Sequence, residues 1–399
     1  MILGAGRAAA RNRQDAWFVK LIAQIFAVLL TLTAPAFAQA NFDTKAKFAI
    51  LMDEESGTVI FQKDADLPME PASMAKLMTI AVVFNEVRAG RVKMSDEFFV
   101  SEHAWRTGGA ASGGSTMFAE LNSKISVENL VRSVIIQSGN DAAIILAEGI
   151  AGTETSFAAM MNELGEDIGL ENSVFTNSTG LPDPAMHVTA RDLADLARYL
   201  IHDFPEYYHY FSEPEMEWNG IKQANRNSLV ELGIGVDGLK TGHTEAAGYG
   251  SVISTDDGGR RLIAVVHGLK SMAERTEEGR KLITWGARAF ERVAAYTDGA
   301  VVAYANVYGG TSGSVGLVGD GEIALYLPRG SRKCLGASVV YTGPLLPPVN
   351  AGDKVAELRV FCDDQLVQTA PLFAAETVEQ GDIVRRATDA LKQLALGWL

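Results

Sequence analysis

Cysteine is nearly missing from this 399-residue chain: only Cys334 and Cys362 occur, both late. Two thiols exclude a disulfide-stapled scaffold and a four-cysteine metal site. They could pair in an oxidising compartment or stay as buried thiols, because a bridge requires a Cα separation that sequence does not give. Histidine is scarce too, with six scattered at 103, 187, 202, 209, 243 and 267. None forms an H-x-x-x-H or H-E-x-x-H pattern, so a zinc peptidase is not expected, and no metal or organic cofactor is implied.

Positive charge is also short. The net charge is −14, and Arg7, Arg11, Arg13 and Lys20 against Asp15 give the first 38 residues +3, leaving −17 for the remainder. A chain that acidic is a poor nucleic-acid binder, since phosphate neutralisation needs basic clusters. Low-complexity tracts and internal repeats are missing. No apolar run reaches the ~20 residues of a comfortable membrane span. The apolar stretch Leu21–Leu32 follows basic residues and precedes Ala36-Phe37-Ala38, the pattern of an export signal over 1–38. Cleaved before Gln39 or kept as an anchor, it delivers the rest outside the cytoplasm.

What the chain does have is apolar content, 47% of its residues, enough at this length for two domains with a sizeable core. Lys47–Met52 and Thr58–Gln62 flank Glu54-Glu55-Ser56-Gly57 and predict a hairpin. Met74–Arg88 reads as a helix with Leu77, Ile80, Ala81 and Phe84 on its apolar face. Val127–Ile136 and Ala142–Ile150 read as two helices separated by Ser138-Gly139-Asn140. Gly238–Thr241, Tyr249–Ser254 and Arg261–Val266 read as antiparallel strands, and Glu274–Tyr296 as a helix. Beyond Asp298, runs such as Val301–Val307, Glu322–Leu327 and Val355–Phe361 between turn residues indicate a small β-rich domain. Ile383–Leu399 returns to helical period.

Three short motifs occur in order: Ser73-Met74-Ala75-Lys76, Ser138-Gly139-Asn140 and Lys240-Thr241-Gly242. Each alone is weak, but the ordered set reads as an acyl-transfer site with a serine nucleophile and a lysine base. Positions i and i+3 share a helix face, so Lys76 falls beside Ser73. A lysine takes a proton only if desolvation or a neighbouring cation lowers its pKa, and Lys240 is the candidate cation. Ser138 can pass protons, and Asn140 can hold Lys76 and a substrate amide. Lys240-Thr241-Gly242 is expected on an edge strand, where Gly242 lets a substrate backbone approach closely and Thr241 can bind a carboxylate.

With these motifs the chain resembles the low-molecular-mass penicillin-binding proteins that act as D-alanyl-D-alanine carboxypeptidases. The likeness extends through Pro71–Thr79, Asn177–Asp183, Thr189–Leu193, Asn225-Arg226-Asn227, Asp237–Thr244 and Thr284-Trp285-Gly286. It implies a mixed α/β transpeptidase-like domain over 42–297, with an antiparallel sheet flanked by helices. A β-rich domain over 298–381 and an amphipathic helix over 382–399 complete it. The resemblance further implies that Ser73 is acylated by the penultimate D-alanine carbonyl of a peptidoglycan stem peptide, and that β-lactams act as covalent inhibitors. Backbone N–H groups of Ser73 and His243 would form the oxyanion hole. Thr241 and Arg275 would hold the terminal carboxylate, a solvent-exposed helix arginine being the alternative for Arg275.

Related chemistries share such a site. A β-lactamase is disfavoured by Gly139, where class A enzymes carry aspartate, and by the lack of Glu-x-x-x-Asn between Asn140 and Pro182. An endopeptidase that cuts cross-bridges with the same residues stays open. In the terminal helix, Val384, Ala387, Leu391, Leu394 and Trp398 form an apolar face beside Arg385, Arg386 and Lys392. That face suits either the outer surface of the cytoplasmic membrane, in a periplasmic enzyme, or docking on the β-rich domain.

Overall fold

The computed structural model describes residues 42–256, 260–328, 335–362 and 365–396. The export signal over 1–38, Cys334 and Trp398 lie outside them.

Runs that are apolar at every position, rather than alternating, belong to strands covered on both faces. Such runs build the central sheet. Phe48–Asp53 (β1) turns through the expected hairpin into Val59–Lys63 (β2). Small ribbons form from Glu97–Phe99 (β3) with Lys124–Ser126 (β4), and from Glu215–Trp218 (β5) with Ile221–Ala224 (β6). Val236–Thr244 (β7), Gly248–Asp256 (β8) and Arg261–Leu269 (β9) follow, giving the antiparallel order β2-β1-β9-β8-β7. β7, carrying Lys240-Thr241-Gly242, is an edge strand. Alternate residues face opposite layers: Ile50, Met52, Ile263 and Val265 join one core, while Ala49, Leu51, Leu262, Ala264 and Val266 join another.

The first core holds the helices Lys76–Arg88 (α1), Glu102–Thr107 (α2), Val127–Ile136 (α3), Asn140–Ala151 (α4), Glu154–Asp167 (α5) and Ala190–Asp203 (α6). The second lies under Met272–Ala289 (α7), where Leu282 and Ile283 pack on the sheet. Gly279 and Gly286 permit that approach, since a Cβ there would stand 2.5 Å from Ile253 Cδ1 and 2.4 Å from Leu51 Cδ2. α1 is buried on all sides, including Leu77, Met78, Ile80, Val82, Val83 and Phe84. The pattern predicted one apolar face; a helix hydrophobic all round belongs at the centre. Each such side chain contributes ~1.5–3 kcal/mol on burial.

The helix expected over Glu274–Tyr296 stops at Ala289. Phe290–Tyr296 is strand β10, paired with Ile323–Pro328 (β13) across the expected boundary at 297/298. Phe290, Val293 and Ala294 fit a helical period, but a waiting partner strand overrides so weak a preference. Ala303–Asn306 (β11), Ser314–Val318 (β12), Leu335–Val340 (β14), Lys354–Cys362 (β15) and Gln365–Ala374 (β16) complete the β-rich region. It has its own core of Val315, Leu317, Leu358, Val360 and Leu372. It joins the central sheet where Thr369 of β16 pairs with Val59 of β2, and where Tyr326 hydrogen-bonds Asp53. Ile383–Leu396 forms the last helix, α8.

Candidate active site

The site lies where the buried start of α1 meets the turn before α4 and the edge strand β7. Ala72–Ala75 is a 3₁₀ turn leading into α1. Ala72 holds φ +47° and its carbonyl faces Gly180, where a Cβ would come within 1.9 Å. Backbone held this far from common conformations needs surroundings that over-determine it. Gly242 supplies more of them, since its Cβ position lies 3.0 Å from Pro71 O and 3.1 Å from Met74 Cγ. Gly242 therefore packs closely against the nucleophile turn, a contact separate from the substrate approach expected of it.

Lys76 Nζ donates to Ser73 Oγ at 3.0 Å, to Asn140 Oδ1 at 2.7 Å and to the Thr179 carbonyl at 2.5 Å. Lys76 is fully buried, and burial pushes its pKa down to about 7, against the pull of Asp141 and Glu154. The cause is desolvation first, one of the two causes the sequence left open; Lys240, the other, is coupled to Lys76 by like charge. Lys240 is itself pushed well down, by burial and then by Lys76, Arg275 and Arg226. Burial of both lysines and their like charge disfavour the state in which both are protonated. As a neutral amine, Lys76 keeps two N–H bonds, to Asn140 and Thr179, and turns its lone pair to the Ser73 hydroxyl. That is the geometry of a general base on a serine.

Ser138 is buried, with φ +68° and no hydrogen-bond partner for its hydroxyl among the described residues. Between it and Asn140, Gly139 leaves no room for a side chain: a Cβ would stand 2.3 Å from Ser133 Oγ. Lys240 Nζ donates to the Thr241 carbonyl at 3.0 Å. Thr241 is buried, whereas His243 is exposed and stacks on Tyr249, ring centroids 3.8 Å apart. Arg275 is buried in α7, donates to the Arg226 carbonyl at 3.1 Å and stands 6.0 Å above the Tyr249 ring. That excludes the solvent-exposed alternative. Its pKa is lowered by burial and then by Arg226. Arg275 and Arg226 show no carboxylate partner among the described residues, so two guanidinium charges act on Lys240 of β7.

The motifs did not single out several supports. Asp141 is buried and accepts from Thr116 Oγ1 at 2.5 Å, Met117 N at 3.0 Å and Ala119 N at 3.1 Å, fixing the loop beside Asn140. An acid opening an otherwise apolar helix was the available signal. Thr179 sits in a turn closed by Asn177 Oδ1, and Asn227 Nδ2 donates to the Gly238 carbonyl at 2.9 Å, tying Asn225-Arg226-Asn227 to β7.

A serine bonded to a buried lysine of near-neutral pKa, on this α/β scaffold, defines a serine hydrolase with lysine where other serine enzymes use histidine. The chain belongs to the D-alanyl-D-alanine carboxypeptidase family, which it matches over residues 34–271. Residues 290–380 match the C-terminal domain of penicillin-binding protein 5. The D-alanyl-D-alanine carboxypeptidase DacC of Escherichia coli K12 is 40% identical over 368 residues, covering 91% of this chain and 90% of that one. DacA of the same strain is 35% identical, covering 88% of each. Penicillin-binding protein 5 from Haemophilus influenzae superposes with TM-score 0.68 at 34% identity, covering 85% of this chain and 99% of its own. Penicillin-binding protein 6B from E. coli gives 0.64 at 34%, covering 84% and 97%.

Proposed function

We propose that this peptidase removes the terminal D-alanine from peptidoglycan stem peptides through a Ser73 acyl-enzyme. Neutral Lys76 takes the hydroxyl proton as Ser73 attacks the penultimate carbonyl, and the proton passes to the departing D-alanine amine, with Ser138 in the path. N–H groups of Ser73 and His243 stabilise the oxyanion, a contribution of ~3 kcal/mol per donor in comparable sites. Asn140 holds the substrate amide. Thr241, Arg275 and Arg226, which has no carboxylate partner among the described residues, receive the terminal carboxylate beside Lys240 and Gly242. Water then hydrolyses the ester.

The observation that carries this reading is the 3.0 Å contact between Ser73 Oγ and a buried Lys76 whose pKa falls to about 7. β-Lactams enter as mimics of the D-alanyl-D-alanine end. A related penicillin-binding protein D2 from Listeria monocytogenes, 27% identical with TM-score 0.55, has been solved in an ampicillin-bound form. β-Lactamase turnover is the weaker alternative, since position 139 is glycine where class A enzymes carry aspartate; D,D-endopeptidase cleavage uses the same residues. A peptide ending in D-alanyl-D-alanine tests the proposal. Wild type should release D-alanine and Ser73→Ala none, whereas fast penicillin hydrolysis with little D-alanine release would overturn it.

We place the enzyme in the periplasm, on the outer face of the cytoplasmic membrane. The export signal over 1–38 delivers it, the catalytic domain spans 42–297, the β-rich domain 298–381, and the helix of 382–399 meets lipid. Ile383 and Val384 are exposed, while Asp389 accepts from Gly309 N at 3.1 Å on the polar side. Among the described residues, no helix is long and apolar enough to cross a membrane.

A further inference from the structure

Glu154 takes no part in the roles above, yet one of its carboxylate oxygens is tied to the turn that docks Lys76. It is the first residue of α5, where the helix N-terminus favours an anion. Its Oε1 accepts from Ser178 Oγ at 2.7 Å, and Oε2 lies 3.1 Å from His103 Nε2 of α2. Ser178 is fully buried, and its carbonyl accepts from Thr79 Oγ1 at 2.7 Å, three residues past Lys76. The next carbonyl, Thr179, is the 2.5 Å acceptor of Lys76 itself.

We propose that Glu154 is a positioning residue for the acyl transfer: through Ser178 it fixes the turn whose Thr179 carbonyl docks Lys76. Its charge also acts on Lys76. This rests on the reading of Lys76 as base. A base buried without any opposing anion would take the Ser73 proton too weakly. The charged groups acting on Lys76 are Asp141 and Glu154, which raise its pKa against burial, and Lys240, coupled to it by like charge. Asp141 is committed to the 116–119 loop and cannot be changed without moving it. Besides Lys76, Glu154 meets His103 across an ion pair that forms only when the imidazole is protonated, and its charge can be removed alone.

Glu154→Gln keeps the size and an oxygen for Ser178 while deleting the charge. The rate of covalent penicillin labelling at Ser73, measured from pH 5 to 9, is the readout. Without the anion Lys76 loses its proton more readily, so the acid limb moves to lower pH. The ratio of rates at pH 6 and pH 8 should rise about two- to threefold over wild type. Glu154→Ala should move the limb the same way and also lower the plateau, because Ser178 loses its acceptor. A labelled wild type whose limb is unchanged in both variants, whatever their melting temperatures, overturns this proposal alone. A wild type that is never labelled at Ser73 overturns the base reading first.

Discussion

The burial of Lys76 makes a quantitative prediction about pH. A free lysine has a pKa near 10.5, and here burial brings it to about 7. That displacement corresponds to ~5 kcal/mol of differential solvation. At pH 7 it raises the neutral, proton-accepting fraction from about one in 3,000 to about one half. The sign is set by the base being active when unprotonated: acylation should climb as pH rises through about 7 and level off above 8. The rate at pH 8 should exceed that at pH 6 by about tenfold, where an unshifted lysine would give about a hundredfold and no plateau below pH 10. Stopped-flow acylation by a chromogenic β-lactam across pH 5 to 10 reads this directly. Lys76→Arg, whose side chain stays protonated, should lose acylation at every pH. A rate still climbing at pH 10, or a Lys76→Arg protein that acylates normally, would refute the reasoning.

Gly180→Ala should unfold more readily, by ~3 kcal/mol or more, and acylate poorly, because its Cβ would meet the Ala72 carbonyl at 1.9 Å with φ at +73°; an unchanged melting temperature and labelling rate would contradict the packing described. Arg226→Gln and Arg275→Gln should each raise KM for a D-alanyl-D-alanine peptide by about tenfold, a charged hydrogen bond being worth ~1.5–3 kcal/mol. A C-terminally amidated peptide should show no such difference, and equal effects on both would remove the carboxylate from that arginine pair. Deleting Ile383–Leu399 should release the enzyme from membranes into the soluble fraction while sparing small soluble substrates. Continued sedimentation with membranes, or unfolding, would favour docking of the helix on the protein.

Most of the fold was legible because its strands and helices carry strong periods. Val127–Ile136 matched its helix end to end, and the three strands around Lys240 were located within a few residues of their ends. Phe290–Tyr296 was not legible, since its apolar spacing fits a helix and only the partner β13 decides otherwise. The whole of α1 being buried was also hidden: four apolar positions mark one face, but whether other faces are covered depends on distant helices. In the site, Ser73, Lys76 and Asn140 could be read from spacing, and the hydrogen bonds join them. Thr179 could not, because it acts through a backbone carbonyl that any residue possesses. Nor could the sequence rank desolvation against a neighbouring cation as the cause of the Lys76 shift, since charge can be counted along a sequence but desolvation is set by packing.

The central claim is that Ser73, activated by Lys76, forms the covalent intermediate. Intact-protein mass spectrometry after incubation with benzylpenicillin, followed by peptide mapping, tests it most directly. The account predicts one penicilloyl adduct per chain, on Ser73, lost in Ser73→Ala and slowed by orders of magnitude in Lys76→Ala with the fold retained. An adduct on another residue, or undiminished labelling of Ser73→Ala, would contradict it.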